Sequence, residues 1–355
     1  MITATTNYYM STTSNYYKEY GIHSTGERCI WITYLLIVLL SSLIGDSIIL
    51  LATIKYNAIK LNKFLVTIMQ HIAVCDILTS LSFVLPTLIS LIANRWILGE
   101  VLAYFNVYFQ YYSTQGGTFL ICTLTCSKFL ILSYPLRTTL WKKKNAHLIC
   151  ALTWVVSHIF PALRFVYDKH GLVFSYSNYN MNYGRPSEYS LHDRLLVYFS
   201  IALTNILPVV LVIVSTCGTL AYLVRARTVS ACSGRGPRWQ GMVTVVITST
   251  VFCVSIVPDT VSFVVVTCMG ISSDEFKGVL RVSEFLTALN VMANFYIYSL
   301  TIPSFRKFVM ANLSGMSRLL LRDLWSCKTL QVEHPAQTPE NILSVRPELH
   351  ASSSL

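Results

Sequence analysis

Four acidic side chains lie inside long apolar segments of the chain, where a carboxylate has few chemical options. They are Asp46, Asp76, Asp259 and Glu284. Taking a carboxylate out of water is costly, so such a group shares a proton, binds a cation or pairs with a cationic ligand. These four residues are therefore the first candidates for a functional site. The secondary-structure elements that position them determine which of these roles each can have.

Seven apolar segments account for most of the 355 residues. Each is long enough to cross a hydrocarbon core, which takes about 20 helical residues. Because the backbone must satisfy its own hydrogen bonds in lipid, spans of this length are predicted to be helices. Only 12% of the residues are charged, compared with about 25% in soluble domains. The segments are 30–54, 64–93, 101–134, 147–167, 195–224, 240–269 and 279–302.

The predicted fold class is an all-α membrane protein, a seven-transmembrane helix bundle with an amphipathic eighth helix. Residues 1–29 are predicted to form an extracellular N-terminal segment, and residues 30–302 the transmembrane domain. Apolar residues at helical spacing predict an amphipathic cytoplasmic helix over residues 303–325. The polar, proline-containing residues 326–355 are predicted to be a disordered cytoplasmic tail.

Basic residues set the predicted orientation of the bundle. The three connections at 55–63, 135–146 and 225–238 hold eleven Lys and Arg residues and no acidic residue. The opposite connections mix both signs, so the first set is predicted to be cytoplasmic and the N-terminus extracellular. We expect a multi-pass protein of the plasma membrane. Its net charge of +11 suits anionic inner-leaflet lipid and requires no nucleic acid.

The positions of the cysteines limit which of them can form a disulfide or carry a lipid. Six of the ten cysteines lie within predicted spans, where they are expected to behave as small apolar side chains. Cys29 and Cys268 face the oxidising side, where they either form a disulfide or remain free thiols. Cys327, in the tail, is a candidate for palmitoylation and is otherwise an ordinary reduced thiol.

Short sequence patterns occur along the chain in a recognisable order and spacing. Pro208 lies in the fifth segment, and Phe252 and Pro258 lie in the sixth. The longer patterns are "LIGDSIILL", "IAVCDIL", "RWILGE", "CSKFLILSYPLR", "NFYIY" and "IPSFRKF". Together, over about residues 28–325, they resemble the rhodopsin-like G-protein-coupled receptors.

The resemblance implies a set of residues for activation and G-protein coupling. The family ends helix 3 with an Asp-Arg-Tyr motif, and Ser127, Lys128 and Phe129 stand in its place here. Ser127 is neutral, so the resting ion pair of that motif cannot form, and Lys128 lacks the planar fork of Arg. Either Lys128 still takes part in coupling or it only reaches the inner interface. The other matching positions are Pro135, Pro208, Phe252, Pro258 and Tyr298.

Further departures affect the family's usual trigger and its main disulfide. Ile256 stands where helix 6 usually carries Trp, and Phe295 replaces the Pro of the Asn-Pro-x-x-Tyr motif. The helix 3 cysteine is Ala103, and the second outer loop holds no cysteine, so both halves of the disulfide are missing together. These departures alter the expected activation mechanism and leave the expected fold unchanged.

The resemblance also places Asp46, Asp76, Asn290 and Asn294 together inside the bundle. The family often binds Na⁺ beside the helix 2 acid, here Asp76, with help from a helix 3 hydroxyl. This chain has Gly117 at the hydroxyl position, while Asp46 adds a carboxylate where the family has Asn. We expect the two acids to share a proton or to hold a cation such as Na⁺. The alternative is a hydrogen-bonded packing cluster with a neutral Asp46, and no other cofactor is expected.

The outer half of the bundle is where such receptors bind ligand. Amine receptors use an Asp on helix 3 and opsins a Lys on helix 7, but the matching residues here are Gln110 and Ala288. An acidic, aromatic and hydroxyl-lined pocket favours a cationic ligand, either a small amine or the basic end of a peptide. The alternative pairs Glu284 with Arg281 on the same helix and leaves Asp259 in an outer polar network. The predicted lining residues are Gln110, Tyr111, Thr114, Ser200, Thr204, Asp259, Phe263 and Glu284.

These patterns predict a receptor that binds an extracellular ligand and activates a heterotrimeric G-protein through its inner face. Helices 5 and 6 would hinge near Pro208 and Pro258. The tail offers serines for phosphorylation, which suits an arrestin, and a "SSL" end that suits a PDZ domain. No nucleophile–base set or phosphate loop indicates an enzyme. One alternative is a non-signalling decoy, scavenger or partner subunit of the same fold; a remote alternative is a transporter, for which the sequence lacks a repeat.

Overall fold

The fold is that of a computed structural model, which forms a helical bundle. Met1–Val309 form one compact unit and Met310–Leu355 a second, of which only residues 310–312 are described. The residues that the structure describes are 25–55, 59, 61–133, 142–167, 172–175, 180–183, 195, 198–200, 202–229, 237–269 and 277–312.

Seven long helices and a short eighth one lie within the described residues, which confirms the predicted fold class. Most helix ends fall within a few residues of the predicted segment ends. The first four are α1 (Thr25–Ile54), α2 (Lys63–Ala93), α3 (Gly99–Ser133) and α4 (Lys143–Tyr167). The next three are α5 (Leu207–Val229, after a π-helical turn at Ala202–Ile206), α6 (Pro237–Met269) and α7 (Lys277–Thr301). The last is α8 (Pro303–Asn312), which is bent by 104° from the end of α7.

The described chain also contains two π-helical turns and one short pair of strands. A π-helical turn at Ser80–Val84 interrupts α2, as another precedes α5. Between α4 and α5, strands β1 (Leu172–Ser175) and β2 (Asn180–Tyr183) pair antiparallel, with Leu172 opposite Tyr183. The β-forming side chains Val173 and Phe174 favour this hairpin, which adds a small strand pair to an otherwise helical fold.

Not all the helices are equally apolar. Within the described ranges, five are long and apolar enough to cross a membrane on their own, and α7 adds a sixth when taken together with α8. Helix α4 has buried polar residues, Thr153 and Ser157, on one face, and exposed aliphatic residues such as Leu148 and Leu152 on another.

Side chains close the ends of α2 in two different ways. At its start, Asn62 accepts a hydrogen bond from the backbone N–H of Phe64 at 2.9 Å, as an N-cap residue does. At its end, Arg28 of α1 donates to the carbonyl oxygens of Leu91 and Ile92, at 2.9 and 3.3 Å. These carbonyls lack partners within the helix, and a cation suits the negative end of its dipole. The first turn of α1 therefore holds the outer end of α2.

Two apolar clusters are stacked along the bundle, with a polar layer between them. The larger cluster occupies the inner halves of the helices and includes Phe64, Leu120 and Phe252. The smaller cluster lies further out on α1, α2 and α7, and includes Val38 and Val84. Along α1 and α2 the buried residues between the two clusters are Ser42, Gly45, Asp46, Asp76, Thr79 and Ser80. The fold thus encloses Asp46 and Asp76 between two apolar clusters.

Helix α8 is amphipathic over the part of the chain that the structure describes. Phe305 and Val309 are buried in the larger apolar cluster, while Arg306 and Lys307 are exposed. This pattern suits a helix that lies against the bundle with its basic face toward lipid headgroups and water.

Helices α1 and α7 approach closely at a glycine. A Cβ atom added to Gly45 would lie 2.7 Å from both Cβ and Cγ of Phe295. Cβ is the root of the Phe295 side chain, so rotation of the ring cannot relieve this contact. Small residues allow such approaches between helices in membranes, where packing replaces the hydrophobic effect.

A Gly45→Ala substitution is expected to destabilise the bundle by about 1–3 kcal/mol, because α1 or α7 must shift to accept the methyl group. The measurement is the thermal unfolding midpoint of the purified protein in detergent. Gly117→Ala is the matched control, since nothing lies within 4 Å of its added Cβ. Equal unfolding midpoints for the two variants would show that the contact with Phe295 is not a tight one.

Candidate functional site

Buried hydrogen bonds connect α1, α2 and α7 in the polar layer. Ser42 Oγ donates to Asp46 Oδ2 at 2.7 Å, and Ser80 Oγ donates to Ser42 Oγ at 2.8 Å. Asn294 Nδ2 donates to Asp76 Oδ2 at 2.7 Å. All five side chains are buried. The structure therefore brings three of the four predicted cluster residues into one layer, and Asn290 lies half-buried one turn before Asn294.

The polar layer leaves two buried oxygen atoms without a partner. Asp46 is only 1% exposed, and among the described residues its Oδ1 has no hydrogen-bond partner; nor has the hydroxyl of Tyr298. The charges of Asp46 and Asp76 are close enough to interact, and Tyr298 lies within range of both. No described atom lies within 4 Å of the position where a Cβ of Gly117 would stand. A carboxylate pair with an unsatisfied oxygen is suited to hold a proton or a cation.

Among the predicted coupling residues, Lys128 and Tyr298 lie at the inner end of the bundle and are buried. Lys128 is 7% exposed and Tyr298 is 1% exposed, and both belong to the closed inner face. Ser127 and Phe252 are buried as well, as is Pro208, while Pro258 is half-buried. Phe129 packs its ring onto Gly218 of α5. Pro135 lies outside the described residues.

The outer half of the bundle holds the predicted ligand-binding residues. Asp259 of α6 is hydrogen-bonded to Ser283 of α7, so this acid bridges two helices. Thr204 is buried in the π-helical turn before α5, where its hydroxyl donates to the carbonyl of Ser200 at 2.9 Å. Gln110, Tyr111 and Thr114 are half-buried on α3. The side chains of Phe263, Arg281 and Glu284 lie outside the described set, so the pairing of Glu284 stays a prediction.

The cysteine predictions are only partly covered by the described residues. Cys29 is exposed, and no other described cysteine is bonded to it. The side chain of Cys268 and the whole of Cys327 lie outside the described residues, so the disulfide and the lipid attachment both stay predictions.

Histidines of α4 form contacts that sequence reasoning missed. Trp154 Nε1 donates to His71 Nδ1 at 3.1 Å, so the proton of His71 is on Nε2, which faces His147 Nδ1 at 3.4 Å. Nearer the outer side, the Tyr108 hydroxyl lies 2.6 Å from His158 Nδ1. Two histidines in one predicted span were a signal that this helix has polar partners. Their partners lie on other helices and could not be named from the sequence.

Two known receptors resemble part of this chain. A stretch of 151 residues is 24% identical to a cholecystokinin receptor of Xenopus laevis and covers 41% of this chain and 32% of that receptor. A stretch of 129 residues is 19% identical to an annetocin receptor of Eisenia fetida and covers 36% of this chain and 31% of that receptor. Each match thus spans about a third of the relative's length.

A family model gives the broader match. The model of the 7 transmembrane receptor (rhodopsin family) matches residues 45–298, which is more than two thirds of the chain. The matched region begins just before Asp46 and ends at Tyr298, so it contains Asp46, Asp76 and Asn294. With its helical bundle and apolar spans, the chain belongs to the rhodopsin family of seven-transmembrane receptors.

Proposed function

We propose that this protein binds an extracellular ligand in the outer half of its bundle and activates a heterotrimeric G-protein through its inner face. The observation that carries the proposal is the position of the polar layer, which joins α1, α2 and α7 between the two ends of the bundle. A layer of buried hydrogen bonds has discrete arrangements, so it suits a switch between a closed and an open form. The family membership and the two receptor relatives support the same function.

The proposed orientation follows from the basic connections, which would face the cytosol. The N-terminus would then be extracellular, and the protein would reside in the plasma membrane. The tail, residues 326–355, would offer sites for an arrestin or a PDZ domain, and α8 would lie on inner-leaflet lipid.

The proposed ligand is cationic, either a small amine or the basic end of a peptide. Asp259 supports this proposal because it is a carboxylate on the outer half of α6 that is only half-buried. Its hydrogen bond with Ser283 satisfies one oxygen and leaves the group able to pair with an incoming cation. Aromatic neighbours such as Tyr111 would add cation–π attraction.

Replacing both outer acids, Asp259→Asn with Glu284→Gln, is expected to weaken activation by a cationic agonist. Loss of a charge-assisted contact costs about 1.5–3 kcal/mol, or about one to two orders of magnitude in agonist potency. The measurement is a concentration–response curve with agonists found by screening amines and peptides. Glu100→Gln is the control, since Glu100 is an exposed acid in the first turn of α3. Full potency in the double variant would remove the case for a cationic ligand.

We propose that the Asp46–Asp76 pair holds either a shared proton or a cation such as Na⁺. The unsatisfied Oδ1 of Asp46 supports this proposal, because a buried anionic oxygen without a partner is costly. The packing alternative would leave Asp46 neutral and indifferent to both ions.

An Asp46→Asn variant is expected to fold and to lose the response of the thermal midpoint to Na⁺ or to pH. A cation at 100 times its Kd stabilises the folded state by about 2.7 kcal/mol, and a bound proton is lost as the pH rises. The assay compares midpoints in NaCl and choline chloride at equal ionic strength, and then across pH. A sodium response that Asp46→Asn weakens indicates the cation, and a pH response alone indicates the proton. If wild type and variant respond identically, the packing alternative holds.

The non-signalling alternative remains the second candidate function. Lys128, Ile256 and Phe295 favour it, because each replaces a residue that the family uses for activation. In the signalling proposal, the neutral Ser127 gives a weak resting latch, so some G-protein activation occurs without ligand.

Restoring the family residues with Ser127→Asp and Lys128→Arg is expected to lower basal G-protein activation several-fold. The restored ion pair lies in a buried site, where attraction is stronger than at a surface. A shift of about 1 kcal/mol toward the closed form changes the open population about fivefold. Basal activation is measured in cells and normalised to surface expression, with Lys142→Arg at an exposed position as control. Absence of activation in every variant, with or without ligand, would favour the non-signalling receptor.

A further inference from the structure

Helix α5 is held to the bundle by a narrow contact stripe. Only 33% of its most apolar stretch is buried, the smallest share among the five described helices that can span a membrane on their own. Its buried residues in the inner half recur at helical spacing, at Val212, Ser215, Thr219 and Leu223. A helix with so little contact depends strongly on each close approach that it makes.

Helix α5 approaches α3 closely at Phe129 and Gly218. A Cβ atom added to Gly218 would lie 2.5, 2.9 and 3.1 Å from Cε2, Cδ2 and Cζ of the Phe129 ring. One turn earlier on both helices, Cys126 Sγ lies 3.1 Å from Ser215 Oγ. The ring therefore occupies a seat that exists only because residue 218 has no side chain.

Charge cannot supply the force that holds α3 to α5 and α6. No acidic residue occurs between Glu100 and Asp168, or between Asp193 and Asp259. The inner halves of α3, α5 and α6 therefore contain no acidic residue of their own, so no ion pair can join these three helices to one another there. Direct contacts among them rely on shape and on hydrogen bonds that involve no carboxylate.

We propose that Phe129 and Gly218 form a steric latch that positions the inner half of α5 against α3 and sets the resting activity of the receptor. The latch takes the role of the ion pair that Ser127 cannot form, and it rests on the proposed G-protein coupling. Both helices are in the closed arrangement, because Lys128 and Tyr298 are too deeply buried to meet a protein partner. Opening the inner face requires α5 to leave the Phe129 ring.

The geometry suits a latch that can open. The atoms of Phe129 nearest to Gly218 belong to the far side of the ring, so rotation about the side-chain bonds removes them from the seat. At Gly45, by contrast, the nearest atom is Cβ of Phe295, which cannot move without its helix. Among the described glycines, Gly45 therefore makes a contact that ring rotation cannot relieve, and Gly218 makes one that it can.

The test introduces Gly218→Ala into the full-length chain and measures basal G-protein activation per receptor at the cell surface. The added methyl group displaces the ring, so basal activation is expected to rise about fivefold as the open form gains population. Leu220→Ala, at an exposed position of the same helix, is the control and is expected to behave as wild type. Unchanged basal activation in Gly218→Ala, together with unchanged labelling of Cys126, would overturn the latch.

A rescue variant distinguishes a seated ring from a general helix defect. Combining Gly218→Ala with Phe129→Leu replaces the ring by a smaller side chain that fits beside the methyl group. The combination is expected to return basal activation toward the wild-type level. Persistent high activation in the double variant would show that Gly218 acts through α5 itself, and would overturn the proposal.

A readout without G-protein separates the latch from the proposed coupling. Cys126 faces Ser215 across the same interface, so opening exposes its thiol to a water-soluble methanethiosulfonate reagent. Labelling at Cys126, measured by mass spectrometry on purified protein, is expected to increase in Gly218→Ala and to fall again in the double variant. Increased labelling without any G-protein activation would support the latch and refute the proposed coupling. Unchanged labelling would refute the latch, whatever the signalling assay gives.

Discussion

A lipid interior offers no hydrogen-bond partners, so the polar groups of this bundle must find their partners inside the protein. The backbone meets it with helices. The hydroxyl side chains meet it locally, because many of them donate to the carbonyl four residues earlier, as Thr53, Thr125 and Ser249 do. An ionised carboxylate cannot donate to such a carbonyl, so each of the two acids needs a donor from another side chain. Asp46 and Asp76 are joined to serine and asparagine side chains for this reason, and the unsatisfied oxygen of Asp46 marks where the solution is incomplete.

The same constraint explains why close packing, rather than charge, holds neighbouring helices together. Where lipid surrounds the protein, burying apolar surface gives little attraction between helices, and good packing must supply it. Gly45 and Gly218 each receive a phenylalanine ring, and the two rings stand at positions where the family has Pro and Tyr. These two departures from the family residues, Phe129 and Phe295, therefore each pack against a glycine on a neighbouring helix.

The sequence predicted the helices well because hydropathy and basic connections act locally along the chain. Six of the seven segments begin or end within about four residues of the helices, and α4 is recognisable although its inward face is polar. Asp46 and Asp76 could be named as candidates because an acid in an apolar run is rare. Their partners could be predicted only in part. Ser42 is four residues before Asp46 and so was visible on the same helix face, whereas Ser80 lies on another helix and depends on tertiary register. The seat of Phe129 was hidden for the same reason.

The two π-helical turns have a consequence for how the chain tolerates changes in length. Such a turn contains one residue more than an α-helical turn, so it rotates the helix beyond it by about 100° relative to an unbroken α-helix. Ser80–Val84 and Ala202–Ile206 each contain such an extra residue. Deleting a single residue other than Ser80 from either turn would convert the wide turn into a regular one and rotate only the helix segment on the far side of the turn from Asp76 or Ser215. A deletion on the near side would instead turn Asp76 or Ser215 away from its partner, so the end of the bundle beyond these turns is free to diverge in length while the opposite end is not.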